Sequence, residues 1–137
     1  MDMRKSGFSL VEILIALFIV AVMGGVGIGA YVAYKKSAQG TAAKSSLRKL
    51  QGDIDLYEQQ VHSFPETLDD LLKAPADEEK AKNWGGPYIQ NKRELKDPWG
   101  KAYQYKQTPE EEHPYELYSN GPKGKSDKKG KISVWDL

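Results

Sequence analysis

Hydrophobic and polar positions divide this chain into three stretches with different periods. Residues 8–34 are apolar or small almost throughout, and Glu12 is the single charge among them. About 20 apolar residues are enough to cross the hydrocarbon core of a bilayer, so this stretch reads as a transmembrane helix. Further on the pattern becomes amphipathic. Ala43, Leu47, Leu50, Ile54, Tyr57 and Val61 recur at alternating steps of four and three, while Lys44, Arg48, Lys49, Asp53 and Glu58 lie off that stripe. The spacing predicts a stem helix over residues 35–63 whose apolar face packs against the C-terminal half of the chain. The repeat is too short to insist on a coiled coil. Phe64-Pro65 ends the helix, because the residue before a proline is pushed out of helical geometry.

Residues 64–100 carry turn chemistry. Thr67 is placed to cap a short helix over residues 68–73, with Asp70 in capping-box position and Leu68, Leu71 and Leu72 on the buried face. Residues 77–82 form a charged, solvated stretch with room for one helical turn. Gly85-Gly86-Pro87 and Asp97-Pro98-Trp99-Gly100 are turns, and Tyr88-Ile89 between them is a short extended piece. After Gly100 the period changes to two. Ala102-Tyr103-Gln104-Tyr105, Tyr115-Glu116-Leu117-Tyr118 and Ile132-Ser133-Val134-Trp135 alternate as strands do. The order of elements predicts an α+β subunit, with a long N-terminal helix packed on a small three-stranded antiparallel sheet in residues 101–137.

Glu12 changes the picture of the apolar stretch. A carboxylate at the centre of a membrane helix costs about 2.5–3.5 kcal/mol on insertion scales unless it is paired, so it calls for a partner. A secretory signal peptide has no reason to carry it, although small residues in 24–30 would permit such a cut. Gly7-Phe8 lies between Arg4-Lys5 and the apolar run. A cut there would leave the amino group of Phe8 about one helical turn from Glu12. Amine and carboxylate on adjacent subunits would then neutralise each other in the bilayer.

Arg4-Lys5-Ser6-Gly7-Phe8-Ser9-Leu10-Val11-Glu12, followed by an apolar helix, resembles the prepilins with a short leader, without departure from their pattern. The resemblance implies a leader over residues 1–7, cleavage between Gly7 and Phe8 by the prepilin peptidase, and N-methylation of Phe8. It also implies that Glu12 guides assembly into a helical filament by pairing with a neighbour's Phe8 amine. Counting lysines and arginines alone (Arg4 and Lys5 against Lys35, Lys36 and Lys44) would put the C-terminal side in the cytoplasm. The leader pattern implies the opposite, an inner-membrane anchor with a periplasmic domain. Gly25-x-x-x-Gly29 fits close packing of membrane helices, or a segment that melts when subunits leave the membrane; both readings stay open.

Composition narrows the rest. The chain has 137 residues and a formal charge of +1, which removal of residues 1–7 takes to zero. After the membrane segment, about 100 residues remain, enough for one small core. A near-neutral balance gives no general pull toward nucleic acid, and the absence of cysteine excludes disulfides and thiolate metal sites. His62 and His113 lie in different segments and read as structural. Glu110-Glu111-Glu112 reads as a solvated turn, and no metalloprotease, phosphate-loop or nucleophile-elbow motif is present. An enzyme is not expected.

Phe64-Pro65, Gly86-Pro87-Tyr88-Ile89, the block from Asp97-Pro98-Trp99-Gly100 to Tyr103-Gln104-Tyr105, and Tyr118-Ser119-Asn120-Gly121-Pro122 with Gly124 resemble the major pseudopilins of type II secretion systems. This resemblance implies a homopolymer, a periplasmic pseudopilus that drives folded exoproteins through an outer-membrane secretin. Its partners would be the prepilin peptidase, minor pseudopilins and an inner-membrane assembly platform powered by a cytoplasmic ATPase. A type IV pilin or DNA-uptake pseudopilin is the alternative. Typical members hold calcium in the loop after Gly-Pro with acidic side chains and backbone carbonyls. Here Lys123, Gly130 and Lys131 stand where the acidic residues would align, and Asp127 alone cannot make the site. No cofactor is therefore expected, with lysine contacts to loop carbonyls or to Asp127 holding the loop instead.

Overall fold

The structure, a computed structural model, describes residues 7–137 and, of Val26, the backbone alone. Most of the expected leader, residues 1–7, therefore lies outside the described residues. The chain divides into two compact units, Met1–Ser37 and Ala38–Leu137. One helix, α1 (Leu10–Val61, 52 residues), contributes to both.

Among the described residues of the first unit, the α1 side chains are exposed. Phe8 is 80 % exposed and Phe18 is 70 % exposed, and the other described large apolar side chains through Tyr34 are exposed as well. An 18-residue window of the helix reaches a mean hydropathy of 2.6, so α1 is long and apolar enough to cross a membrane.

The second unit is built on the amphipathic stripe. Ala43, Leu47, Leu50, Ile54, Tyr57 and Val61 are all buried. From Leu47 onward they form one core with Leu68, Leu71, Ile89, Tyr103, Tyr115, Leu117 and Val134. The helix ends earlier than its sequence suggests. His62 takes a left-handed conformation (φ 65°) and donates its amide to the Glu58 carbonyl at 2.8 Å, closing the ladder before Phe64-Pro65 is reached.

The segment after α1 departs from expectation in detail. Leu68–Leu71 is a four-residue 3-10 turn, and Thr67 makes no side-chain cap. The Asp70 carboxylate instead accepts from the Glu66 amide at 3.1 Å, which ties the turn backward to the end of the stem. The solvated stretch contains a real helix, α2 (Glu78–Asn83), because Asp77 caps it by accepting from the amides of Glu79 and Lys80. Tyr88 and Ile89 form no strand. Their amides donate to the Leu71 carbonyl at 2.8 and 3.3 Å.

The sheet is three-stranded and antiparallel in the order β1-β2-β3, with β1 Gln104–Gln107, β2 Tyr115–Ser119 and β3 Ile132–Ser133. Tyr105 pairs with Leu117, and Tyr118 pairs with both Gln104 and Ser133. Along β2, Tyr115, Leu117 and Ser119 face the core. The first strand starts two residues later than its alternation suggests, because Ala102 bridges back to Lys96. The last strand is cut short when Ser133 caps a 3-10 turn over Val134–Asp136. Tyr105 donates its hydroxyl to the Pro65 carbonyl at 2.6 Å, and Gln107 reaches the Phe64 and Pro65 carbonyls at 2.9 Å. These bonds fasten the edge strand to the end of the stem.

Burial pushes the phenols of Tyr57 and Tyr115 up from the usual 10.0 to about 12, with the Asp70 and Asp55 charges acting in the same direction. It raises that of Tyr105 as well. All are thus uncharged in the fold, and their contribution is complete below pH 10. It is lost as pH rises through the folded values toward 12, since the unfolded chain ionises first. Thermal midpoints measured from pH 9 to 12 are expected to fall above pH 10, with tyrosinate absorbance rising alongside loss of tertiary structure. Titration of all eight tyrosines near pH 10 in a still-folded chain would contradict this packing.

Candidate functional site

The N-terminal residues singled out from sequence lie at the mouth of α1. Gly7, Phe8 and Ser9 precede the helix in non-helical backbone and are exposed. The Gly7–Phe8 peptide is accordingly exposed. Ser9 starts the helix: its Oγ accepts from the Glu12 amide at 3.2 Å and its carbonyl accepts from Ile13 at 3.1 Å. Serine is a favoured N-cap because it satisfies an amide that the first turn leaves without a partner. Glu12 therefore sits in the first turn, where the positive end of the helix dipole favours a carboxylate. Phe8, Glu12, Ile13, Ala16, Leu17 and Val20 line one shallow apolar groove, which places Phe8 and Glu12 on the same side of the helix.

A second constellation was read from sequence only as a turn. Asp97 is 5 % exposed, and both of its oxygens are used. Oδ1 accepts from the amides of Trp99 at 3.1 Å and Lys101 at 2.9 Å, which closes the Asp-Pro-Trp-Gly turn from inside. Oδ2 accepts from the Ser119 hydroxyl at 2.8 Å, and the Ser119 oxygen accepts in turn from the Gly121 amide at 3.0 Å. One carboxylate thus joins the turn before β1 to the end of β2 and the start of the β2–β3 loop. The Trp99 indole donates to Gln39 on α1 at 3.2 Å, adding the stem to the same network. The signal in the sequence was aspartate before Pro-x-Gly; that Ser119 is its second partner has no local signature.

The β2–β3 loop, residues 120–131, folds as two 3-10 turns, Gly124–Ser126 and Lys128–Gly130. Gly121 has φ 79°, and a Cβ there would stand 2.3 Å from the Gly130 carbonyl oxygen. Only glycine permits that approach. Asp127 accepts from the Lys129 amide at 3.2 Å, a backbone N–H, whereas the sequence reading offered it a lysine ammonium as one of two alternatives. The Lys131 ammonium lies 4.0 Å over the Tyr118 ring. His113 stacks on Trp135 with ring centroids 4.2 Å apart, and His62 is the left-handed residue after α1. Glu110, Glu111 and Glu112 are exposed.

These features coincide with a known pattern. The family described as type II secretion system (T2SS), protein G, matches residues 30–135, and the prokaryotic N-terminal methylation motif matches residues 2–28. The chain belongs to the type II secretion system protein G family. It is 31 % identical to the type II secretion system core protein G of Pseudomonas aeruginosa, over 97 % of this chain and 96 % of that protein. To the core protein G of Escherichia coli K12 it is also 31 % identical, over 98 % and 93 % of the two chains. The crystal structure of the major pseudopilin from the type 2 secretion system of enterohaemorrhagic E. coli is similar in fold, with a TM-score of 0.62 and 26 % identity. That likeness covers 77 % of this chain and 94 % of the other. The protein is thus a pseudopilin, a structural pseudopilus subunit of the type II secretion system, with the pilin-like α+β fold read from its sequence.

The Asp97 network makes a direct prediction for this pseudopilin. Hydrogen bonds to a charged acceptor contribute about 1.5–3 kcal/mol, and Asp97→Ala removes three donors' acceptor at once. Urea unfolding followed by tryptophan fluorescence is expected to show Asp97→Ala destabilised by roughly 2–4 kcal/mol. Asp97→Asn, which keeps the turn acceptor, should lose less. An alanine variant within about 0.5 kcal/mol of the unaltered chain, the usual surface effect, would remove the network from its organising role.

Proposed function

We propose that the pseudopilin is cleaved between Gly7 and Phe8, methylated on the new amine, and held in the inner membrane by residues 8–34 with its C-terminal domain in the periplasm. The prepilin peptidase performs the cut. The assembly platform then draws subunits from the bilayer into a filament whose growth, driven by a cytoplasmic ATPase, pushes folded exoproteins through the secretin, with minor pseudopilins as further partners. The subunit makes and breaks no covalent bonds in substrates; its work is mechanical.

The observation that carries this reading is Glu12, a carboxylate on an exposed apolar helix one turn after the exposed Gly7–Phe8 bond. In lipid its charge is costly, and the strongest relief is an opposite charge at short range. Cleavage creates such a charge at Phe8. Within one subunit that amine lies outside the helix end; between staggered subunits in a filament, one chain's Phe8 can meet its neighbour's Glu12. Assembly is then favoured by neutralisation as well as by burial of the apolar surface.

Intact mass spectrometry on membranes from cells with and without a prepilin peptidase tests the processing. The expected species lacks residues 1–7 and carries one extra methyl group only when the peptidase is present. Glu12→Ala is expected to be processed in the same way yet to give no cross-linked ladder of subunits. A chain that keeps residues 1–7 in both strains, or one cut within residues 24–30, would overturn the reading, as would normal ladders from Glu12→Ala.

A further inference from the structure

The β2–β3 loop raises a question that family membership does not answer, namely what holds it. A calcium ion takes six to eight oxygen ligands, several of them carboxylates. In residues 120–131 the only carboxylate is Asp127, among Lys123, Lys125, Lys128, Lys129 and Lys131. The Asp127 side chain is already committed to the Lys129 amide. The carbonyls of Gly121, Gly124 and Asp127 accept from the amides of Gly124, Asp127 and Gly130, and that of Lys123 from the Ser126 hydroxyl. Among the described residues, no three His, Cys, Asp or Glu side chains gather where they could hold a metal. The donor set does not fit calcium.

Two ammonium groups lie close to the loop. Lys101 is fixed at its backbone by Asp97, at 2.9 Å. Its side chain runs from the turn to the middle of the loop, where a Cβ on Gly124 would stand 2.7 Å from the Lys101 Nζ. Gly124 is buried and left-handed, with φ 74°. The ammonium thus lies beside the backbone of Gly124, where the left-handed conformation favours glycine. Lys131, at the far end of the loop, folds back over the ring of Tyr118 on β2, 4.0 Å from its centroid. Tyr118 is the residue before Ser119, whose hydroxyl belongs to the Asp97 network. Lys131 therefore bridges the exit of the loop and the strand that enters it, and the Lys101 ammonium lies beside its middle.

We propose that this pseudopilin stabilises its β2–β3 loop with two of its own ammonium groups, Lys101 against Gly124 and Lys131 on Tyr118, and dispenses with a divalent cation. The proposal is independent of the assembly reading, because its consequence is the stability of the single subunit.

The test is thermal unfolding of the full-length chain in detergent micelles, followed by tryptophan fluorescence, with millimolar calcium chloride or with EGTA. The two midpoints are expected to coincide. Lys101→Met and Lys131→Met, which keep the aliphatic stem and remove the charge, should each lower the midpoint by about 2–8 °C. Lys131→Arg, which preserves a cation over the ring, should melt like the unaltered chain. A midpoint raised by calcium and lowered by EGTA would overturn the proposal. So would either methionine variant melting like the unaltered chain.

Discussion

An apolar helical surface left exposed among the described residues is the constraint from which the rest of this subunit follows. Burying apolar surface is worth about 25 cal/mol per Å², and in the first half of α1 large side chains from Phe8 to Tyr34 stand exposed. Such a surface needs lipid or other helices around it. In the proposed function it uses both in turn, first as a membrane anchor and then as a filament subunit. The same constraint underlies the proposed role of Glu12, since a charge on an apolar surface is costly without a counter-charge and the proposed assembly brings one with the next copy.

The second half of the helix solves the opposite problem. Its stripe from Ala43 to Val61 is buried, and a sheet of only three short strands suffices because the stem supplies half of the core. Polar ties then define where the sheet begins and ends. Tyr105 and Gln107 fasten β1 to the Phe64-Pro65 backbone, and Asp97 joins the turn before β1 to the end of β2. A domain without disulfides keeps its irregular half in register by spending one buried carboxylate on three donors.

Elements whose pattern is local and periodic were legible in the sequence. The stripe, the three-strand order and the position of Glu12 relative to Phe8 needed only spacing. Features set by non-local partners were not. Ala102 alternates like a strand residue, yet it bridges Lys96, so β1 begins later. Thr67 has the chemistry of a cap, but Asp70 is drawn to the Glu66 amide and the segment remains a 3-10 turn. His62 ends α1 through a left-handed conformation that favours glycine or asparagine, leaving the nearby Phe64-Pro65 signal unused. The hub at Asp97 was visible as a turn, whereas its bond to Ser119, 22 residues away, was not. The lysines of the β2–β3 loop were plain in the sequence, but the partner that one of them finds is an aromatic face, which no spacing rule announces.

A helical reconstruction of the assembled filament by cryo-electron microscopy tests the central claim most directly. The expected map places residues 8–34 of every subunit in the filament core, with the Glu12 carboxylate of one copy within hydrogen-bonding distance of a neighbour's Phe8 amine. A filament whose apolar helices lie at the periphery, or whose Glu12 side chains point into solvent away from every Phe8, would contradict it.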